Sequence, residues 1–147
     1  MKKKVATLLL ASLFALSLFA HDHDDKPKSL YQRLGGYDAI AAVTDDFIGR
    51  LATDKQLGRF FVGHSEDSLK KIRQHLVDQL CAATGGPCIY IGRDMKTTHK
   101  GMGISEADWN SAAGHLVATL DKFKVPPAEK NEVLALVVSL KKDIVEK

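Results

Sequence analysis

From Tyr37 to Leu51, apolar side chains fall at Tyr37, Ile40, Ala41, Val43, Phe47, Ile48 and Leu51. That three- and four-residue spacing lays one stripe along an α-helix. A second stripe, Leu69, Ile72, Leu76, Leu80 and Ala83, follows Ser65, with Glu66 and Asp67 in the predicted first turn. Carboxylates there favour the positive end of the helix dipole. A third runs through Trp109, Ala112, Ala113, Leu116, Val117, Leu120 and Phe123, behind Ser105 and Asp108, which read as an approximate capping box. Pro126-Pro127 open a fourth, with Val133, Leu134, Leu136, Val137 and Leu140, because proline's fixed φ suits a first helical turn. Turn signals separate the stripes: Gly35-Gly36, the polar stretch 53–55, Gly63-His64-Ser65, Gly85-Gly86-Pro87, and the glycines at 101 and 103. Only CIYI at 88–91 reads as a short extended piece, and nothing repeats internally. The pattern predicts an all-α domain.

Composition fits one domain: 147 residues, 45% hydrophobic and 27% charged. The first twenty residues stand apart. Lys2-Lys3-Lys4 precede the apolar run VATLLLASLFALSLFA, which ends at Ala20 before HDHDDKPK. A basic start, a short apolar stretch and a small residue at the end read as a secretory signal over 1–20, cut after Ala20. The run is shorter than the ~20 residues a membrane-spanning helix needs. Residues 21–28 read as a disordered leader, and the domain is expected over 29–147. Cleavage would remove three lysines from the 21 basic residues and leave them level with the 18 acidic ones. A neutral domain without a basic stripe offers no electrostatic footprint for nucleic acid or, once the signal is gone, for a membrane.

Hydrolytic and nucleotide chemistry find no support. There is no GxGxxG opening a helix after a strand, no GxxxxGK[ST], no H-E-x-x-H and no serine elbow. Cys81 and Cys88 flank AATGGP; they are not a CxxC pair, and no CxxCH offers covalent haem attachment. A bridge across the glycine turn is reasonable in an oxidising compartment, and two separate buried thiols are the alternative. A chain beginning at His21-Asp22-His23 would present an amine, amides and an imidazole to Cu(II) or Ni(II), although a solvated leader is the plainer reading.

His99 is the residue to explain. It lies between Met95 and Met102, with glycines at 92, 101 and 103, and none of the acids or hydroxyls that tune a catalytic histidine. A packed core histidine is the bland reading. Yet an all-α domain with an apolar stripe, Phe47, Phe60, Phe61, Trp109 and two methionines suits a flat hydrophobic cofactor, and haem iron needs one proximal imidazole.

LYQRLGGYDAI (30–40), DDFIGRLATDKQLGRFF (45–61), ATGGPCIYIGRDMKTTHKGMGI (83–104) and AAGHLVATL (112–120) together resemble a truncated haemoglobin of group 1. That resemblance implies a two-over-two helical sandwich around non-covalent haem b, with a long loop leading to a short proximal helix. It makes His99 the proximal iron ligand and Phe61 the phenylalanine on the haem face. It lines the pocket with Phe47, Ile48, Ile72, Leu76, Leu80, Met95, Met102, Ile104 and Trp109. It also offers Arg93, with nearby Lys96, to a propionate, unless these are solvated cations; Tyr90 is a weaker candidate for the same role.

The pattern departs from the family on the distal side. Where group 1 proteins commonly have a tyrosine after the phenylalanine aligned with Phe47, this chain has Ile48, and the opposing helix, counted back from Gly85-Gly86, has Leu76 and Ile72. Counting forward from Phe60-Phe61 gives a register three residues different, which implies an insertion near 62–68 or within the helix. On the glycine-anchored register His75 sits at the edge of the apolar stripe, where some relatives place an iron-binding histidine. Three functions follow as expectations. The first is a periplasmic or secreted haem protein binding oxygen or other diatomic ligands, with nitric oxide detoxification as one use and an unidentified electron donor. The second is a bis-histidyl electron-transfer protein, and the third a non-haem helical binding module.

Overall fold

The computed structural model describes residues 26–147. The signal segment and most of the leader, including the His21-Asp22-His23 motif, lie outside the described residues. The described chain contains seven α-helices: Leu30–Arg33 (α1), Gly36–Thr53 (α2), Glu66–Ala83 (α3), Met95–His99 (α4), Glu106–Lys122 (α5), Pro127–Ser139 (α6) and Lys141–Ile144 (α7). A 3-10 turn, Gly58–Phe60, lies between α2 and α3.

Each long helix begins where its signals stand. Ser65 accepts the Ser68 N–H at 3.2 Å ahead of α3, and Ser105 with Asp108 closes a full capping box ahead of α5. Pro127 occupies the first turn of α6. The domain start near Ser29 is a capping box too: Ser29 accepts from the Gln32 amide while Gln32 accepts from the Ser29 amide. Gly35 then turns the chain with φ +97°, a left-handed conformation that separates α1 from α2. The segment 88–91 is not a strand. Cys88 and Tyr90 are half-buried while Ile89 and Ile91 are exposed, so the alternation is present, but no neighbouring chain pairs with it among the described residues.

The core has two parts. Leu30, Leu116, Leu120 and Val133 form one cluster, with Phe47 and Val43 packed on it. Ile40, Val77 and Cys81 form the other, with Tyr31, Leu80 and Cys88. Helix α2 joins them, since it packs against both α3 and α5, while α4 rests on α7. Among the described residues no helix is long and apolar enough to cross a membrane.

Cys81 and Cys88 are bridged, with their Cα atoms 5.7 Å apart. The turn between them depends on Gly86: a Cβ there would lie 2.5 Å from the Tyr31 ring and 2.7 Å from the Cys81 sulfur. The disulfide therefore ties the C-terminal end of α3 to the segment that leads into α4.

Candidate functional site

Helix α4 is one and a half turns long because its boundaries are strongly marked. Asp94 caps it, accepting the Thr97 backbone N–H and hydroxyl, each at 2.8 Å. These bonds, the backbone one foremost, hold the Asp94 carboxyl below the usual carboxylate range. Gly101, with φ +82°, turns the chain away after His99.

His99 is half-buried, and its Nδ1 lies 2.9 Å from the Met95 carbonyl oxygen, one turn back. A carbonyl only accepts, so Nδ1 carries the proton and donates. In the neutral ring the lone pair is then on Nε2. An imidazole held by a backbone carbonyl through one nitrogen, with the other free as a base, is how metal-ligating histidines are oriented.

On α3, His75 is half-buried and its ring meets Tyr90 edge-on, with centroids 6.1 Å apart and planes at 83°. Its Nδ1 is buried and makes no hydrogen bond among the described residues. A buried polar atom without a partner is costly. Tyr90 is held in turn from below. A Cβ on Gly92 would lie 2.4 Å from the Tyr90 hydroxyl, so glycine is required for the ring to lie there. The hydroxyl donates to the Arg93 carbonyl at 2.5 Å, which commits its proton to the backbone rather than to an anion. Burial, with the nearby Asp94 charge, pushes the phenol up.

The expected lining residues fall into three groups. Ile72 and Met102 are left 37% and 38% exposed, which is high for such side chains and marks an apolar surface with nothing packed on it. Ile48, Phe61, Leu76, Met95 and Trp109 are half-buried, and Ile104 is buried. Phe47 packs on the first core cluster, and Leu80 lines a small apolar cavity of about 40 Å³ with Ile40, Val43 and Leu120. Arg93 and Lys96 are exposed and make no ion pair among the described residues. Helix α3 runs unbroken to Ala83, just before Gly85-Gly86; the glycine-anchored register depends on that continuity.

Two carboxylates that brace this region were not legible as such. Asp108, expected only as a cap, is 2% exposed and accepts from Gln56 at 2.7 Å, from Arg59 at 2.8 Å and from the Ser105 amide at 2.9 Å. It fixes the turn carrying Phe60 and Phe61 to the start of α5. The Ser105 amide foremost, then Gln56, hold its carboxyl far below the usual range. Asp46, beside Phe47, accepts from Arg50 at 2.6 Å and Thr119 at 2.9 Å, and pairs with Lys122, joining α2 to α5. Arg50 and Lys122 depress it likewise.

Comparison with known proteins identifies the fold. Residues 29–146 match the bacterial-like globin family. A group 1 truncated hemoglobin of Mycolicibacterium paratuberculosis is 33% identical over 129 residues, covering 88% of this chain and 93% of that protein. The ferric truncated hemoglobin of Tetrahymena pyriformis superposes with a TM-score of 0.74 at 28% identity, over 82% of this chain and 100% of that one. The 2/2 hemoglobin of a Synechococcus species, in the cyanomet state with covalently attached heme, superposes with a TM-score of 0.73 at 29% identity over the same shares. This chain belongs to the bacterial-like globin family and, within it, to the group 1 truncated haemoglobins with their two-over-two helical fold.

Proposed function

We propose that this domain binds haem b non-covalently between α3 and α4, with His99 as proximal ligand, and that it serves diatomic ligand chemistry in the periplasm or outside the cell. The observation that carries the reading is the Nδ1 to Met95 carbonyl bond, which leaves Nε2 of His99 as the free base. The residues fit the group in two further ways. Ile72 and Met102 offer apolar surface left open to solvent. Arg93, on the approach to α4, and Lys96, in its first turn, make no ion pair among the described residues and are suited to propionates. Haem, when bound, supplies an iron centre that takes diatomic ligands and exchanges single electrons.

His75 acts as the distal ligand in this reading. Ile48, Ile72 and Leu76 donate no hydrogen bond to a bound gas, and His75, next to Leu76 on α3, is the side chain to which we give that place. Exogenous ligands then compete with it, and their apparent affinity falls with the fraction of protein in the open state. Nitric oxide detoxification with an electron donor of unidentified type is the redox use we attach to it. Export rests on the apolar N-terminal run and on the disulfide, which oxidising compartments preserve. The near-neutral charge of the processed chain argues for neither nucleic acid nor membrane as a partner.

The half-buried place of His75 on α3, against Tyr90, also favours a second reading, a bis-histidyl electron-transfer protein. One experiment separates them. The ferrous wild type is expected to be low-spin and six-coordinate, and His75→Leu to be five-coordinate and high-spin with faster carbon monoxide binding. Carbon monoxide that enters the wild type within seconds supports ligand binding; a wild type that resists it supports electron transfer. A five-coordinate wild type removes His75 from both.

A further inference from the structure

We infer that Glu146 is a positioning residue for His99: its carboxylate grips the turn that follows the histidine and fixes the direction in which the imidazole is presented. The inference rests on His99 as the iron ligand. Helix α4 has five residues, far fewer than the roughly 12 at which a helix begins to hold itself in water. Its register must be imposed from both ends. Asp94 does so at the start.

At the other end the chain turns at once, with the Met102 amide donating to the His99 carbonyl at 3.1 Å. Gly101 and Gly103 are both left-handed, with φ +82° and +64°. Their two amides converge on one group: Gly101 donates to Oε1 of Glu146 at 2.7 Å and Gly103 to Oε2 at 2.5 Å. Two parallel bonds to a single carboxylate fix an angle as well as a distance, and charge makes each stronger than a neutral bond. Those amides also hold the Glu146 carboxyl below the ordinary glutamate range, so it is ionised at neutral pH.

The carboxylate is not needed to anchor the chain's last residues. Backbone bonds do that: Glu146 and Lys147 donate to the Ile104 carbonyl at 2.8 and 3.3 Å, and Glu106 donates to the Lys147 carbonyl at 3.1 Å. A 2.6 Å ion pair between Lys141 and Glu106 adds to them. With the tail already held, the side chain of Glu146 acts on the turn after His99, and through it on the ring. Nothing in the apolar periodicity marks Glu146, which sits beyond the last helix.

The test uses the haem-loaded, reduced protein in a His75→Leu background, so that His99 is the sole axial side chain. Resonance Raman gives the iron–histidine stretching frequency, and transfer to excess apomyoglobin gives the haem loss rate. Glu146→Ala is expected to shift and broaden the stretching band and to speed haem loss roughly 10- to 100-fold, the range for removing a group that orients a metal ligand. Glu146→Gln keeps one acceptor oxygen and the backbone bonds of the tail; it is expected to move both readouts the same way by less, and it reads the effect if the alanine variant does not fold. A lower melting temperature with an unchanged band and loss rate would show that Glu146 only ties down the tail, and would overturn the inference. Absence of any iron–histidine band in the parent protein would overturn the His99 assignment and this inference with it.

Discussion

Breaking the Cys81–Cys88 bridge tests how α3 is held to the segment behind it. The closed loop is short, with a sequence separation of 7. Chain-entropy reasoning for a loop of that length gives roughly 8 cal/mol/K, or about 2.5 kcal/mol at 25 °C. Cys81 is fully buried beside Ile40 and Val77, so replacing it with alanine removes some packing as well. Cys81→Ala/Cys88→Ala should therefore lose about 2.5 kcal/mol or slightly more, a large part of the 5–15 kcal/mol typical of a domain. With a urea slope of about 1–3 kcal/mol/M, the unfolding midpoint falls by about 0.8–2.5 M. The assay is urea unfolding followed by far-ultraviolet circular dichroism, on wild type with and without a thiol reductant and on the double variant. Reduced wild type and the variant should both unfold ahead of oxidised wild type, the variant slightly earlier for its lost packing. Amide exchange should rise first at residues 84–92, where the bridge anchors the segment that carries Tyr90 against His75. Three coincident curves, or two alkylatable thiols in protein recovered from an oxidising compartment, would refute the reasoning.

Acid should weaken the fold in a defined window. Asp45, Asp46, Asp54, Asp108 and Glu146 all have carboxyls held below their ordinary range by hydrogen bonds or cations. A depressed folded-state value means the stabilisation is complete above the unfolded value, near pH 4, and is lost as pH falls through the folded ones. Urea midpoints measured from pH 6 down to pH 3 should fall, and Asp108→Asn should flatten the curve; a midpoint independent of pH would contradict this. Gly92→Ala should displace the Tyr90 ring, because its Cβ would lie 2.4 Å from the hydroxyl. Loss of the Tyr90-to-His75 ring-current shifts by NMR checks it, and unchanged shifts refute it. Leu120→Ala, at a position 2% exposed beside the small apolar cavity, should cost about 2–5 kcal/mol in chemical unfolding. A cost well under that range would mean the cavity collapses around the smaller side chain.

The four long helices were legible because each writes its buried face into its own residues. Leu69, Ile72, Leu76 and Leu80 announce α3, and Ser65 and Ser105 announce two starts. The helices α1 and α7 are four residues each, too short for any period to show. In the candidate site, His99 stood out by its company of methionines and glycines, and the chain's resemblance to the family supplied the role proposed for it. Its bond to Met95 was implicit in a four-residue spacing. Asp108 with Arg59, Asp54 with His115, and Glu146 with the turn after His99 were not legible. Their partners are 49, 61 and 43 to 45 residues apart in sequence, and only the crossing of helices brings them together. Residues 88–91, read as a short extended piece, form neither helix nor strand; their alternation of buried and exposed side chains comes from the disulfide and the Tyr90 contact.

The account stands on His99 holding the iron, and the absorption spectrum of the His99→Gly protein measures that directly. It should retain haem weakly, with a Soret band unlike that of wild type, and recover the wild-type spectrum when imidazole fills the space left by the side chain. Full haem retention with an unaltered spectrum, before any imidazole is added, would contradict the assignment.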